Sequence, residues 1–173
     1  TGLRIGVTAA RTLALAVKAK IVALPTLAVI AQNAMDLSDP PPRVCVILDA
    51  KRARVYSATF ALASGTSESK RYIAVDEPRE ADPATYLATQ RSDCAVLGEG
   101  VPYHQAVVSG SGLRVLAEDF FAPRVETVYR LGFERASKGV FVAARELIPV
   151  YIRPPEAEEV WAAKNTVSRQ RAT

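Results

Sequence analysis

The sequence has one histidine, two cysteines, one tryptophan and one methionine in 173 residues. Each scarcity closes off a class of chemistry. Zinc hydrolases gather several His, Cys or carboxylate ligands at short range. Here His104 stands alone, Cys45 and Cys94 are far apart, and no H-x-x-x-H spacing occurs. His104 lies in Val101-Pro102-Tyr103-His104-Gln105, beside no obvious nucleophile, so a surface or hydrogen-bonded structural role is expected for it. Two cysteines in apolar runs cannot make a disulfide framework, which points to a reducing compartment. Aromatics are only 7% of the chain, without the aromatic-basic interleaving that stacks single-stranded bases. No apolar run approaches the roughly 20 residues that a membrane span needs. The N-terminal run, broken by Arg4 and Arg11, does not read as a signal-peptide h-region.

What is present is ordinary globular material: 49% apolar and 23% charged residues, with a formal net charge of +4. That balance permits contact with nucleic acid or an acidic protein without demanding either. Residues 2–19, rich in Ala and Leu, read as a helix. Arg4, Thr8, Arg11, Thr12 and Lys18 form its polar stripe, and most of the remaining circumference is apolar. A helix so apolar is expected to be buried on more than one side. Ile21–Leu24 reads as a short buried strand ended by Pro25, after which Thr26 caps a helix to about Met35. Pro40-Pro41-Pro42 is a stiff extended segment and the expected lobe boundary. From Val44 the pattern turns to β: strands at 44–48 and 54–62 joined by a turn at 50–53, and a third at 71–75 after a Ser/Gly-rich loop. Asp82-Pro83 starts a short helix to Arg91. Cys94–Leu97 and Leu113–Leu116 read as strands, and 123–138 as an amphipathic helix closed by Gly139. An extended segment at 147–152 and a terminal helix at 156–164 complete the pattern.

Three stretches together resemble one family. Thr1-Gly2-Leu3-Arg4-Ile5-Gly6 is similar to the latter part of the G-P-G-S-F-T-G-L-R-I-G motif of TsaB. Asp49-Ala50-Lys51-Arg52-Ala53-Arg54-Val55-Tyr56 resembles its D-A-R-R-x-E-V-Y hairpin, with Ala53-Arg54 where relatives have Gly-Glu. The segment from Glu146 to Ala157 resembles its P-x-Y-x-R-x-P-E-A run, with Trp161 following. The order of the three agrees along the whole chain.

The resemblance implies an α/β fold of the actin-like ATPase superfamily, with two RNase H-like lobes. It implies the last helices of the first lobe (residues 1–39), a proline linker (40–43), a complete second lobe (44–165) and a basic tail (166–173). The strand meander and helix that precede the glycine motif in relatives have no counterpart, so an N-terminally incomplete chain is expected. The implied role is that of a non-catalytic dimerisation subunit in threonylcarbamoyladenosine synthesis, next to the tRNA anticodon. The implied partners are a TsaD-like catalytic subunit and a TsaE-like ATPase, with tRNA reached through the assembly and pairing with a second copy as an alternative. ATP and metal would then belong to the partner subunits, and no cofactor is expected in this chain. A cytoplasmic location without membrane contact is implied as well.

Catalytic relatives hold a metal through histidines on the helix after the short strand; the corresponding Pro25–Gln32 has neither His nor acid. The rival expectations are a metal-dependent, glycoprotease-like peptidase or an ATP-using transferase acting alone. Two surfaces are singled out. Leu3, Gly6, Ala10, Leu13 and Val17 step by three or four residues and share one helix face, the expected partner interface. Lys51, Arg52 and Arg54 crowd one turn, the candidate anion contact, against the commoner reading of such a cluster as a solvated charged face. Gly98-Glu99-Gly100, after a strand, reads either as a tight turn or as part of an adenosine loop, and Trp161 with Pro154-Pro155 is expected to clamp the terminal helix.

Overall fold

A computed structural model describes residues 2–63 and 71–152. Trp161, Pro154, Pro155 and the terminal helix lie outside these residues. Among those described, six strands form one mixed sheet. β1 (Arg43–Asp49) and β2 (Val55–Leu62) make an antiparallel hairpin with Arg43 opposite Ala61 and Asp49 opposite Val55. β3 (Tyr72–Ala74) and β4 (Arg79–Ala81) both pair antiparallel with β2, at opposite ends of it. On the other side β5 (Cys94–Leu97) runs parallel to β1, and β6 (Arg114–Val115) parallel to β5. Val44–Ile47 and all of β5 are buried without alternation, so both faces of the sheet centre are covered.

Among the described residues, six α-helices accompany the sheet: α1 (Gly2–Val17), α2 (Thr26–Asn33), α3 (Pro83–Ala88), α4 (Gly100–Tyr103), α5 (Gln105–Gly110) and α6 (Val125–Ser137). Asp82 caps α3 by accepting from the Thr85 N–H at 2.9 Å, with Pro83 in the first turn where a missing donor costs nothing. α2 starts differently from expectation. Thr26 is its first residue, not its cap; Pro25 occupies the cap position and only its carbonyl takes part, accepting from Val29.

Leu27, Ile30, Ala31 and Ala34 pack in one core with Val44, Val46, Val55 and Leu97. The core is therefore continuous across the proline segment, and α2 belongs with the sheet. The prolines serve as acceptors: Tyr72 Oη donates to Pro41 O and Leu62 N to Pro42 O. Two amides seal this region. Gln32 both donates to Tyr72 O and accepts from Tyr72 N, standing where the next strand would be at the β3 edge. Asn33, wholly buried, donates to Phe120 O and Ala122 O and accepts from Thr127 Oγ1.

One sequence expectation fails here. Ile21–Leu24 is not a strand; a single antiparallel bridge joins Ile21 to Val142, because no neighbouring ladder among the described residues extends it. Residues 147–152 follow a 3-10 turn at Ala144–Glu146 and carry neither helix nor ladder pairing, with Leu147 extended as expected.

Candidate functional site: an unpartnered helix and a basic hairpin

Helix α1 was expected in the core and is found outside it. Ala14 is its one buried residue, while Leu3, Ile5, Leu13, Leu15 and Val17 are each more than half exposed. Neither the Leu3-Leu13-Val17 side nor the Ile5 side meets the sheet. Ala10 is exposed, and a Cβ built on Gly6 would meet no atom within 4 Å. All five residues of the expected interface are thus open. Lys18, at φ +56°, ends the helix in the left-handed conformation usual after a C-terminus. Arg4 anchors the other end: its Nε donates to Tyr151 Oη at 2.6 Å, and the guanidinium lies 5.5 Å from that ring. Burying five large aliphatic side chains would release about 1.5–3 kcal/mol each if complete, so leaving them in water is costly.

The second surface is the β1–β2 turn. Lys51, Arg52 and Ala53 all have positive φ, +64°, +51° and +56°, with Ala50 N bonded to Arg54 O and Arg54 N to Lys51 O. Left-handed backbone costs a non-glycine residue about 1–2 kcal/mol. Ala53→Gly, which restores the residue that relatives of the resembled family carry, is expected to stabilise the chain by about 0.5–1 kcal/mol in urea denaturation. Asp49, at the end of β1, organises the turn. Its carboxylate accepts from Lys51 N at 3.3 Å, lies 3.3 Å from Lys51 Nζ, and faces His104 Nε2 at 3.5 Å. The His104 side chain is only 8% exposed, so it lies behind the turn and is not a surface residue, and its buried Nε2 has no hydrogen-bond partner among the described residues. Arg54 pairs with Glu80 at 3.5 Å. The expected anion contact, Lys51 with Arg52 and Arg54, is therefore gathered on one turn, with Lys51 and Arg54 each facing a carboxylate.

Gly98 and Gly100 explain the G-x-G pattern sterically. Gly98 has φ +117°, and a Cβ there would overlap the Ile47 carbonyl oxygen outright; at Gly100 the same atom would be 3.0 Å away. The turn lets the end of β5 run against β1 with no side chain between them.

The remaining reactive groups are held inert. Burial raises the Cys45 thiol well above its usual range and pushes Cys94 up to about 12. At pH 8 a thiol titrating near 12 is roughly 10⁻⁴ thiolate, so both cysteines should resist a thiol reagent until the chain unfolds. The sign of the linked pH effect follows. Below about pH 9 both states hold the proton, and from 9 towards 12 only unfolded thiols ionise, so stability falls as pH rises through that window. A measured gain in stability over that interval would contradict the burial.

Helix α2 does not fit a metal. Leu27, Val29, Ile30 and Ala31 are buried apolar residues, and the Gln32 and Asn33 amides are spent on backbone and Thr127 partners. Among the described residues, no three His, Cys, Asp or Glu side chains converge as a metal site. None of the helices among them is long and apolar enough to cross a membrane.

Residues 1–158 match the family model of TsaD, tRNA N6-adenosine threonylcarbamoyltransferase. The chain belongs to the TsaD family. No curated protein matches the sequence of this TsaD-family chain. Its fold is similar to the crystal structure of an uncharacterized protein with similarity to peptidase YEAZ from Pseudomonas aeruginosa, at 22% identity and TM-score 0.66. That alignment covers 87% of this chain and 67% of the other. YeaZ from Pseudomonas aeruginosa is similar to the same degree, with 86% and 67% covered. The mixed sheet of the TsaD-family chain fits the actin-like, RNase H-like ATPase class.

Proposed function

We propose that this TsaD-family chain is a TsaB-type subunit that supports threonylcarbamoyl transfer to a tRNA adenosine without catalysing it. It does so by pairing through α1 with a TsaD-like catalytic subunit, and a TsaE-like ATPase joins the pair. The observation that carries this reading is α1 itself: a 16-residue helix with no acidic residue and one buried side chain. An apolar surface of that kind marks a protein interface more often than a catalytic cleft. The donor-poor α2 supports the non-catalytic half, since Leu and Ala side chains cannot hold a metal. ATP and metal are assigned to the partners, and tRNA is reached through them.

Reconstitution tests the proposal. The TsaD-like subunit, TsaE-like ATPase and tRNA are combined with ATP and the threonylcarbamoyl donor, with and without this chain. Modified adenosine should form in quantity only when the chain is added, and the chain alone should form none. Turnover by the lone chain, whether transfer or peptide hydrolysis, would overturn the non-catalytic reading.

A further inference from the structure

Two features meet at the β1–β2 turn. His104 Nε2 is buried, lacks a hydrogen-bond partner among the described residues, and faces Asp49 Oδ1 from 3.5 Å. Just after Asp49 come three successive left-handed residues, Lys51, Arg52 and Ala53, none of them glycine. Backbone in so sparsely populated a region persists only where its surroundings impose it, and such strain collects at switch regions. Asp49 is the side chain that holds this turn. Its Oδ1 accepts from Lys51 N at 3.3 Å, and its Oδ2 lies 3.3 Å from Lys51 Nζ. One carboxylate is therefore shared between Lys51 on the solvent side and the imidazole behind it.

The protonation state of the ring decides which of the two has the stronger claim. A neutral imidazole offers at Nε2 either a lone pair, which the carboxylate repels, or an N–H that is too distant at 3.5 Å for a good bond. A charged ring donates from both nitrogens, and charge-assisted N–H···O⁻ bonds close to about 2.7–2.9 Å. Imidazole ordinarily makes this change between about pH 5 and 8. The other ionisable groups nearby are few. Arg54 is paired with Glu80 at 3.5 Å, and Arg52 is exposed. Helix α5 carries no ionisable side chain, β5 carries only the buried Cys94, and Tyr86 on α3 is bonded to Thr59. Glu99 and Tyr103, at the two ends of α4, are exposed.

We propose that His104 is a proton-operated latch for the β1–β2 turn. With the ring neutral, Asp49 stays on Lys51 and the turn keeps its strained form. With the ring charged, Asp49 moves onto Nε2, and the Lys51 amide and ammonium lose their acceptor. The turn then relaxes and leaves Lys51 free for an outside anion. Uptake of one proton from solvent is the only chemical change. The latch does not rest on the pairing through α1 and uses none of its residues.

NMR of the full chain from about pH 8 to about pH 5 tests the latch, and the single histidine makes the ring signals unambiguous. The amide signals of residues 51–54 should shift with the same midpoint as the ring. The heteronuclear NOE of residues 51–53 should fall over the same interval, as expected of backbone released to fast motion. Ordinary carboxylates titrate near pH 4, outside that range. In His104→Gln, which keeps a polar side chain but takes no proton, the turn amides should stay still. Lys51→Met changes a side chain that is 85% exposed, so the fold should be retained. Its turn should show a lower NOE than the parent's already at pH 8. Turn signals that stay fixed while His104 titrates would overturn the proposal. So would a ring that takes no proton above pH 5 in the folded chain, or His104→Gln amides that move as the parent's do. A Lys51→Met turn as rigid as the parent's at pH 8 would overturn it as well.

Discussion

Gly98→Ala is expected to be the most damaging conservative change in the described core, costing about 3–5 kcal/mol. Two independent penalties add. The residue sits at φ +117°, where an L side chain is strained, and its new Cβ would overlap the carbonyl oxygen of Ile47. Ile47 is wholly buried in the central strand, so relief would require shifting β1 itself. Gly100→Ala has the close approach without the positive φ and should cost less, about 1–3 kcal/mol. Gly110→Ala is the control: it lies in α5 with nothing near its Cβ, and should be neutral or stabilising by a few tenths. Urea denaturation of the three variants checks the ranking. A Gly98→Ala protein as stable as the parent would mean that β5 and β1 do not meet as described.

Asn33→Ala is the second large effect, at about 3 kcal/mol. The side chain is wholly buried, and its removal strands the Phe120 and Ala122 carbonyls and the Thr127 hydroxyl together. Each buried polar group left without a partner costs about 1–3 kcal/mol. Thr127→Val removes only the hydroxyl and should cost about 1 kcal/mol. Because both act on one network, Asn33→Ala with Thr127→Val should be clearly less destabilised than the sum of the singles. Strict additivity would place the two residues in separate environments.

Legibility in the sequence followed how local each cause is. The β1–β2 hairpin, β5 and the Asp82-Pro83 helix start could be read because composition and capping act over a few residues. β4 could not, since Arg79-Glu80-Ala81 has no β composition and is a strand only because β2 lies beside it. α4 and α5 were hidden by the Gly, Pro and His residues that punctuate them. Ile21–Leu24 has strand composition but only one rung, as pairing depends on a neighbour the local pattern cannot supply. At the candidate site, the apolar face of α1 was legible as period and composition, but its exposure was not. His104 was read as structural, yet its place opposite Asp49 follows from the parallel β1–β5 pairing and the Gly98–Gly100 turn. Neither leaves a short-range signal.

The most direct measurement of the central claim is the affinity between this chain and a TsaD-like subunit, with and without Leu13→Glu. Leu13 is 62% exposed, so the substitution should leave circular dichroism unchanged and stability within about 0.5 kcal/mol. At a buried interface the same carboxylate would be desolvated without a partner, which weakens pairing by two orders of magnitude or more, on the order of 3 kcal/mol. A folded Leu13→Glu chain that no longer binds the catalytic subunit in sedimentation velocity is the expected result. A folded variant that binds as tightly as the parent would contradict pairing through α1.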